Sequence, residues 1–99
     1  MKRRKVVYAA EAGDDLDWIY ATVATASDPV TANDYDRRIR SSCERLETAS
    51  ERGHRRDDIR PGLRIVGFEK RVTIAFAVEA DTVLILRVFY GGVDWEAAF

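Results

Sequence analysis

Residues 63–90 read LRIVGFEKRVTIAFAVEADTVLILRVFY, and this stretch decides the fold. It contains three apolar runs, at 63–68, 72–78 and 83–90, each of a length typical of a β-strand. The polar connectors between the runs are short enough for hairpins, so the sequence predicts three consecutive antiparallel strands. The last run is apolar on both faces, interrupted only by Arg87, which favours a central position in the sheet.

The middle run alternates bulky residues with the small residues Thr73, Ala75 and Ala77. This two-residue period puts the small side chains on one face of the sheet. One interpretation is an open, shallow face on which a partner helix can lie. The other is that these residues are small because the backbones of the protein's own helices press against them.

Upstream of the sheet, the chain begins with a short apolar stretch at 6–9, which predicts a first strand. Apolar residues then recur at spacings of four, three and four positions, which is typical of one buried helix face. This pattern predicts a helix over 10–25, with Asp14 and Asp15 near its positive end.

Ser27 or Asp28 followed by Pro29 indicates the start of a second helix, because an oxygen-bearing side chain can cap free N–H groups and proline fits the first turn. We expect this helix to continue to Arg52, with Gly53 as its left-handed stop. Its predicted inner face consists of five residues: Ala32, Tyr35, Ile39, Cys43 and Leu46. The element order is then β-α-α-β-β-β. The fold class is α+β, with an N-terminal helical hairpin packed on one face of a small, mainly antiparallel sheet.

Length and composition restrict the class of protein. A chain of 99 residues with 46% hydrophobic residues forms one small globular domain over 1–99. One cysteine, Cys43, allows no internal disulfide or thiolate zinc site, and no apolar run approaches the roughly 18 to 20 residues of a membrane helix. We therefore expect a cytoplasmic protein without metal, cofactor or membrane contact.

Charge is segregated along the chain although the net charge is only −1. The segment 52–71 carries seven basic residues against three acidic ones, a surplus of four. Such a surplus can select an acidic partner, although the arginines could equally pair with neighbouring acids and solubilise a loop.

The loop Gly53-His54-Arg55-Arg56-Asp57-Asp58-Ile59-Arg60-Pro61-Gly62-Leu63-Arg64 and the end of the last strand, Arg87-Val88-Phe89-Tyr90-Gly91-Gly92, follow the helix pair in this order. With the Asp15-Leu16 segment of the first helix, they make the chain resemble ParE-like toxins of the RelE/ParE superfamily, found in type II toxin–antitoxin systems. The resemblance covers nearly the whole chain.

The resemblance implies a bacterial toxin that inhibits DNA gyrase and thereby DNA replication and growth. It also implies a hetero-oligomer with a ParD-like ribbon-helix-helix antitoxin, through which alone operator DNA is contacted. The residues expected to bind the antitoxin or the target are six side chains around the sheet: Arg56, Arg60, Arg64, Arg71, Arg87 and Tyr90.

The alternative is a ribosome-dependent mRNA endoribonuclease like RelE. Arg71 and Arg87 resemble by position the basic residues of such nucleases, and Tyr90 falls where some of them carry a terminal tyrosine. Such cleavage needs a proton-transfer group and positive charge at the phosphate. Phe89 stands where certain nuclease members carry a histidine, and a phenyl ring cannot exchange a proton. The expectation is that no catalytic residue is present; an antitoxin-bound relic without toxicity is a third possibility.

Overall fold

The computed structural model describes residues 2–99. The elements are, in chain order, β1 (Lys5–Tyr8), α1 (Ala10–Ala26), α2 (Pro29–Glu44), a short 3-10 helix (Arg45–Glu47), β2 (His54–Arg55), β3 (Leu63–Phe68), β4 (Val72–Val78), β5 (Thr82–Tyr90) and a closing 3-10 helix (Trp95–Ala98). The strands form one five-stranded sheet in the order β1-β5-β4-β3-β2. Only β1 and β5 are parallel. The expected α+β fold is confirmed, with β2 as an additional, very short edge strand.

The helical hairpin covers one face of the sheet, as predicted. Leu16 and Ile19 of α1 and Ile39 of α2 are at most 2% exposed and pack with the bulky residues of β4 and β5. Asp28 is the cap of α2: its carboxylate accepts hydrogen bonds from the Thr31 N–H at 2.7 Å and from the Thr31 hydroxyl at 3.1 Å. Neither helix of the described chain combines the length and apolarity needed to cross a lipid bilayer.

The predicted end of the second helix is wrong. The α-helix stops at Glu44 instead of Arg52, and the chain turns toward the segment that precedes β1. There the Arg4 N–H donates to the Glu47 carbonyl at 2.7 Å, and the Arg4 guanidinium donates to the buried Ser50 hydroxyl at 2.7 Å. These contacts require a turn that a continued helix could not make.

A β-bulge lies in the middle of β5. Ala75 of β4 is opposite Arg87 and Phe76 is opposite Ile85, which leaves Leu86 as the extra residue. The pairing with β1 ends at the same point, where Tyr8 is opposite Ile85. The second half of β5 therefore has a neighbouring strand on one side only.

The second face of the sheet is not bare, so both interpretations of the small residues are wrong for Ala75. This residue is 0% exposed and belongs to a second core cluster with Leu63 and Phe89. The helices lie on the opposite face; the cover here comes from Trp95 and Phe99 of the C-terminal segment, together with Ile59 and other partly buried side chains. The small side chains leave room for the chain's own tail.

Candidate functional site: the arginines around the sheet

Arg56 joins the loop after β2 to the C-terminal segment. Its guanidinium is 3.0 Å from the Asp58 carboxylate and 3.1 Å from that of Glu96, and it lies 5.3 Å from the centre of the Trp95 ring. These partners raise the pKa of Arg56, chiefly through the hydrogen bond with Asp58. Arg56 therefore has an internal role in holding Trp95 over the second core cluster.

Arg64 and Arg60 differ in how they are held. The Arg64 guanidinium donates to the backbone carbonyls of Glu51, at 3.0 Å, and of Arg52, at 3.4 Å. These hydrogen bonds hold the segment before β2 against β3. Arg60 is exposed and forms no side-chain hydrogen bond or ion pair with any residue in the range 2–99. It lines a cavity of about 280 Å³ beside Phe99 and Arg87, on the side of the C-terminal segment.

Arg87 forms a bidentate pair with Asp15 of α1. Its Nε and Nη2 lie 2.7 Å and 3.0 Å from the two carboxylate oxygens, and the Val88 N–H donates to the same carboxylate at 2.9 Å. Asp15 thus satisfies a backbone donor on the free edge of β5 as well as the guanidinium. The hydrogen bond to Asp15 raises the pKa of Arg87, and the pair fixes α1 against the sheet.

Arg71 and Tyr90 come together at the end of the helical hairpin where the turn joins α1 to α2. They line a cavity of about 240 Å³, here called the hairpin cavity, whose residues are Val23, Thr31, Tyr35, Arg38, Glu69, Arg71 and Tyr90. Arg38 is already ion-paired with Asp34 at 3.1 Å and with Glu69. Arg71 is exposed and takes part in no ion pair within the described chain. It is therefore the cation of this cavity that is available to a ligand.

Tyr35 is the residue of the hairpin cavity that the sequence did not single out. The sequence predicts only that Tyr35 lies on the inner face of the second helix, and no sequence signal separates it from an ordinary core tyrosine. Tyr35 is 8% exposed, and its hydroxyl has no hydrogen-bond partner among residues 2–99. Its ring packs edge-on against Tyr90, with centroids 5.9 Å apart. Burial raises the pKa of Tyr35, so the hydroxyl stays protonated and is a donor.

An apolar surface continues from Tyr90 along the free edge of β5. Trp18 of α1 is 56% exposed and packs edge-on against Tyr90 at 6.3 Å, and Val93 is 50% exposed. Both line a shallow cavity with Val88 and Asp15. Apolar side chains exposed beside a half-paired strand are typical of a protein–protein contact.

Other potentially reactive side chains lie away from this surface. His54 is exposed on β2, the outermost strand, which is three strands from β5 and thus about 14 Å away at roughly 4.8 Å per strand. Cys43 is fully buried, and burial raises the pKa of its thiol to about 11. Within residues 2–99, no three His, Cys, Asp or Glu side chains converge as a metal site would require.

The six expected site residues therefore form several groups. Arg71 and Tyr90 share the hairpin cavity, Arg60 and Arg87 share the cavity beside Phe99, and Arg56 and Arg64 hold internal contacts. Of the basic residues in 52–71, only Arg55 and Arg56 form ion pairs with carboxylates of the described chain, so most of the surplus of positive charge in this segment is not neutralised. Arg60 and Arg71 are the members at these two cavities that have no ion-pair partner among the described residues.

Comparison with known proteins agrees with the fold. The family described as the ParE toxin of the type II toxin-antitoxin system, parDE, matches residues 6–95. A chain of the chromosomal ParDE TA system from P. aeruginosa has a similar fold, with a TM-score of 0.79 and 23% sequence identity over 90% of this chain and 97% of that chain. No curated protein sequence matches.

The α+β fold and the family match define the toxin component of a type II toxin–antitoxin system. The chain belongs to the ParE toxin family of the parDE systems, with an antitoxin as its partner.

Proposed function

We propose that this ParE toxin inhibits DNA gyrase by stoichiometric binding in the cytoplasm and has no enzymatic activity of its own. A ParD-like ribbon-helix-helix antitoxin neutralises it by forming a hetero-oligomer, and operator DNA is contacted through the antitoxin only. Gyrase as the target follows from the family resemblance.

The engagement of Arg87 by Asp15 is the observation that carries the non-enzymatic part of the proposal. A guanidinium that stabilises charge on a reacting phosphate has to present its N–H groups to that phosphate. In this chain Nε and Nη2 of Arg87 already donate to Asp15. Phe89 is 7% exposed and packs against Trp95 and Phe99, so this position serves the second core cluster and supplies no proton-transfer group.

One observation favours the alternative of a RelE-like ribosome-dependent nuclease. Arg71 and Tyr90, two of the residues whose positions resemble those of the nucleases, line the same cavity. A cation and a phenol can bind a phosphate, but cleavage also needs a general base. His54, the single histidine of the chain, lies on the far edge of the sheet.

Two parallel assays separate these functions. Purified toxin is titrated into a gyrase supercoiling reaction and, separately, into ribosomes programmed with a defined message. We expect supercoiling to stop near molar equivalence with gyrase, to recover when a ParD antitoxin is added, and the message to stay intact. Message cleavage that disappears in Arg71→Ala would instead establish the nuclease, and a folded toxin inert in both assays would indicate a relic.

A further inference from the structure

The hairpin cavity contains two donors without acceptors. The Tyr35 hydroxyl is buried and has no protein partner in the described part of the chain, and the Arg71 guanidinium forms no ion pair there. A buried hydroxyl without a hydrogen bond carries a desolvation cost that a hydrogen-bonded hydroxyl does not. A ligand that brings an acceptor into this cavity recovers that cost on binding.

The charge of the lining favours an anion. The Arg38 and Glu69 side chains neutralise each other, so Arg71 leaves the lining with a net positive charge, and the exposed Lys70 adjoins it. A carboxylate is acceptor-only and has two oxygens, so it can receive a phenol O–H and a guanidinium together. The apolar part of the lining, Val23 and the tyrosine rings, suits the methylene groups of an acidic side chain.

The rim of the cavity consists of exposed side chains on a turn with an unfavourable backbone conformation. Arg71 is exposed, and the Glu69 side chain is 42% exposed at the β3–β4 turn. Glu69 and Lys70 have φ of 49° and 65°, the left-handed region that non-glycine residues occupy at a cost. A ligand approaches the Tyr35 hydroxyl from this exposed rim, between Glu69 and Arg71, and not through the core.

We propose that the hairpin cavity receives a carboxylate side chain of the antitoxin, which accepts a hydrogen bond from the Tyr35 hydroxyl and pairs with Arg71. This inference rests on the antitoxin partnership described under the proposed function. The exposed Trp18, which packs against Tyr90 next to the cavity, offers a platform for an apolar residue near that acid. The antitoxin segment is therefore acidic and apolar in close succession.

The test uses calorimetry to compare the affinity of the full-length ParD antitoxin from the same operon for the wild-type toxin and four variants. Tyr35→Phe and Arg71→Ala are each expected to raise the Kd about tenfold. Because both side chains contact one carboxylate, the double variant should raise it by less than the product of the single effects. Lys5→Ala removes an exposed cation at the other end of the sheet, where Lys5 is opposite Thr82 at the start of β5, and should leave the Kd unchanged.

Thermal unfolding of the free toxins supplies the second readout. Tyr35→Phe removes a hydroxyl without a partner, so its Tm should equal or exceed that of the wild type. A lower Tm would show that the hydroxyl is bonded within the free protein, which overturns the proposal.

The binding measurement has its own outcomes. If Tyr35→Phe and Arg71→Ala bind the antitoxin with the wild-type Kd, the proposal is overturned while the antitoxin partnership stays intact. If these variants bind antitoxin normally but no longer inhibit gyrase, the cavity belongs to the target. An antitoxin that fails to bind even the wild type overturns the partnership and this inference together.

Discussion

Asp15 and Arg87 are 72 positions apart in the chain, yet they form a bidentate ion pair across the free edge of β5. The pair lies where β1 ends and the bulge at Leu86 turns the strand. The Asp15 carboxylate also accepts a hydrogen bond from the Val88 N–H. It thereby replaces the acceptor that a neighbouring strand would supply at this edge.

Replacing Asp15 should therefore destabilise the fold. Asp15→Ala leaves the Arg87 guanidinium and the Val88 N–H without their acceptor in a partly buried position, and we expect a loss of about 1 to 3 kcal/mol. The measurement is urea unfolding followed by circular dichroism. Asp14→Ala is the matched control, since Asp14 is exposed and should change stability by no more than about 0.5 kcal/mol. Equal effects of the two variants would contradict the role of Asp15 as a hydrogen-bond acceptor at the free edge of β5.

Trp95 should matter for stability much more than Trp18. Trp95 is half-buried over Phe89 and lies under the Arg56 guanidinium, so Trp95→Ala uncovers the second core cluster. We expect a loss of about 2 kcal/mol in the free energy of unfolding. Trp18→Ala removes a side chain that is 56% exposed and should cost about 0.5 kcal/mol or less. A stability of Trp95→Ala equal to that of Trp18→Ala would mean that the tail does not cover the sheet in solution.

A comparison of Gly53 with Gly62 separates the energetic cost of a left-handed backbone from that of a steric clash with a neighbouring strand. Both have positive φ, at 78° and 81°. A Cβ on Gly53 would lie 2.1 Å from the Ile65 carbonyl oxygen, whereas at Gly62 it would meet nothing within 4 Å. Gly62→Ala should therefore cost only the conformational penalty of about 1 to 2 kcal/mol, and Gly53→Ala distinctly more. Urea unfolding of the two variants checks the order, and the reverse order would contradict the approach of β3 to Gly53.

The buried Cys43 thiol gives a pH-dependent prediction. Burial raises its pKa from 9.0 to about 11, so the folded protein holds the proton more tightly than the unfolded chain. Its contribution to stability is complete below pH 9 and is lost as the pH rises toward 11. The native protein should resist a thiol-specific reagent at pH 8 and react in denaturant. Rapid labelling of the folded chain at pH 8 would show that the thiol is accessible.

Local sequence patterns were sufficient to predict most of the helices and strands. The two-residue period at 72–78 gave β4 with its observed bounds, and Asp28-Pro29 gave the start of α2. Both features arise from neighbours within one turn or one strand, which the sequence displays directly. The end of α2 depends on Arg4, Glu47 and Ser50, which meet only in the folded chain.

For the candidate site, too, the sequence identifies individual residues, and the fold determines which of them meet. Arg71 and Tyr90 were identified from the sequence, but their meeting in one cavity with Tyr35 depends on how the hairpin lies on the sheet. The sequence also identified Arg56 and Arg87 as surface charges. Besides the nearby Asp58, the carboxylates that pair with them, Glu96 and Asp15, come from distant segments. Charge counting gives the number of arginines in a segment, and only the fold determines which of them remain unpaired.

The sequence by itself determined the fold class, the buried faces of both helices and the three consecutive hairpin strands, because hydrophobic periodicity is a property of short segments. The tertiary structure decided which face of the sheet the tail covers, where β5 bulges and which cations are neutralised. Those features depend on contacts between residues far apart in the chain, whose partners no local pattern specifies.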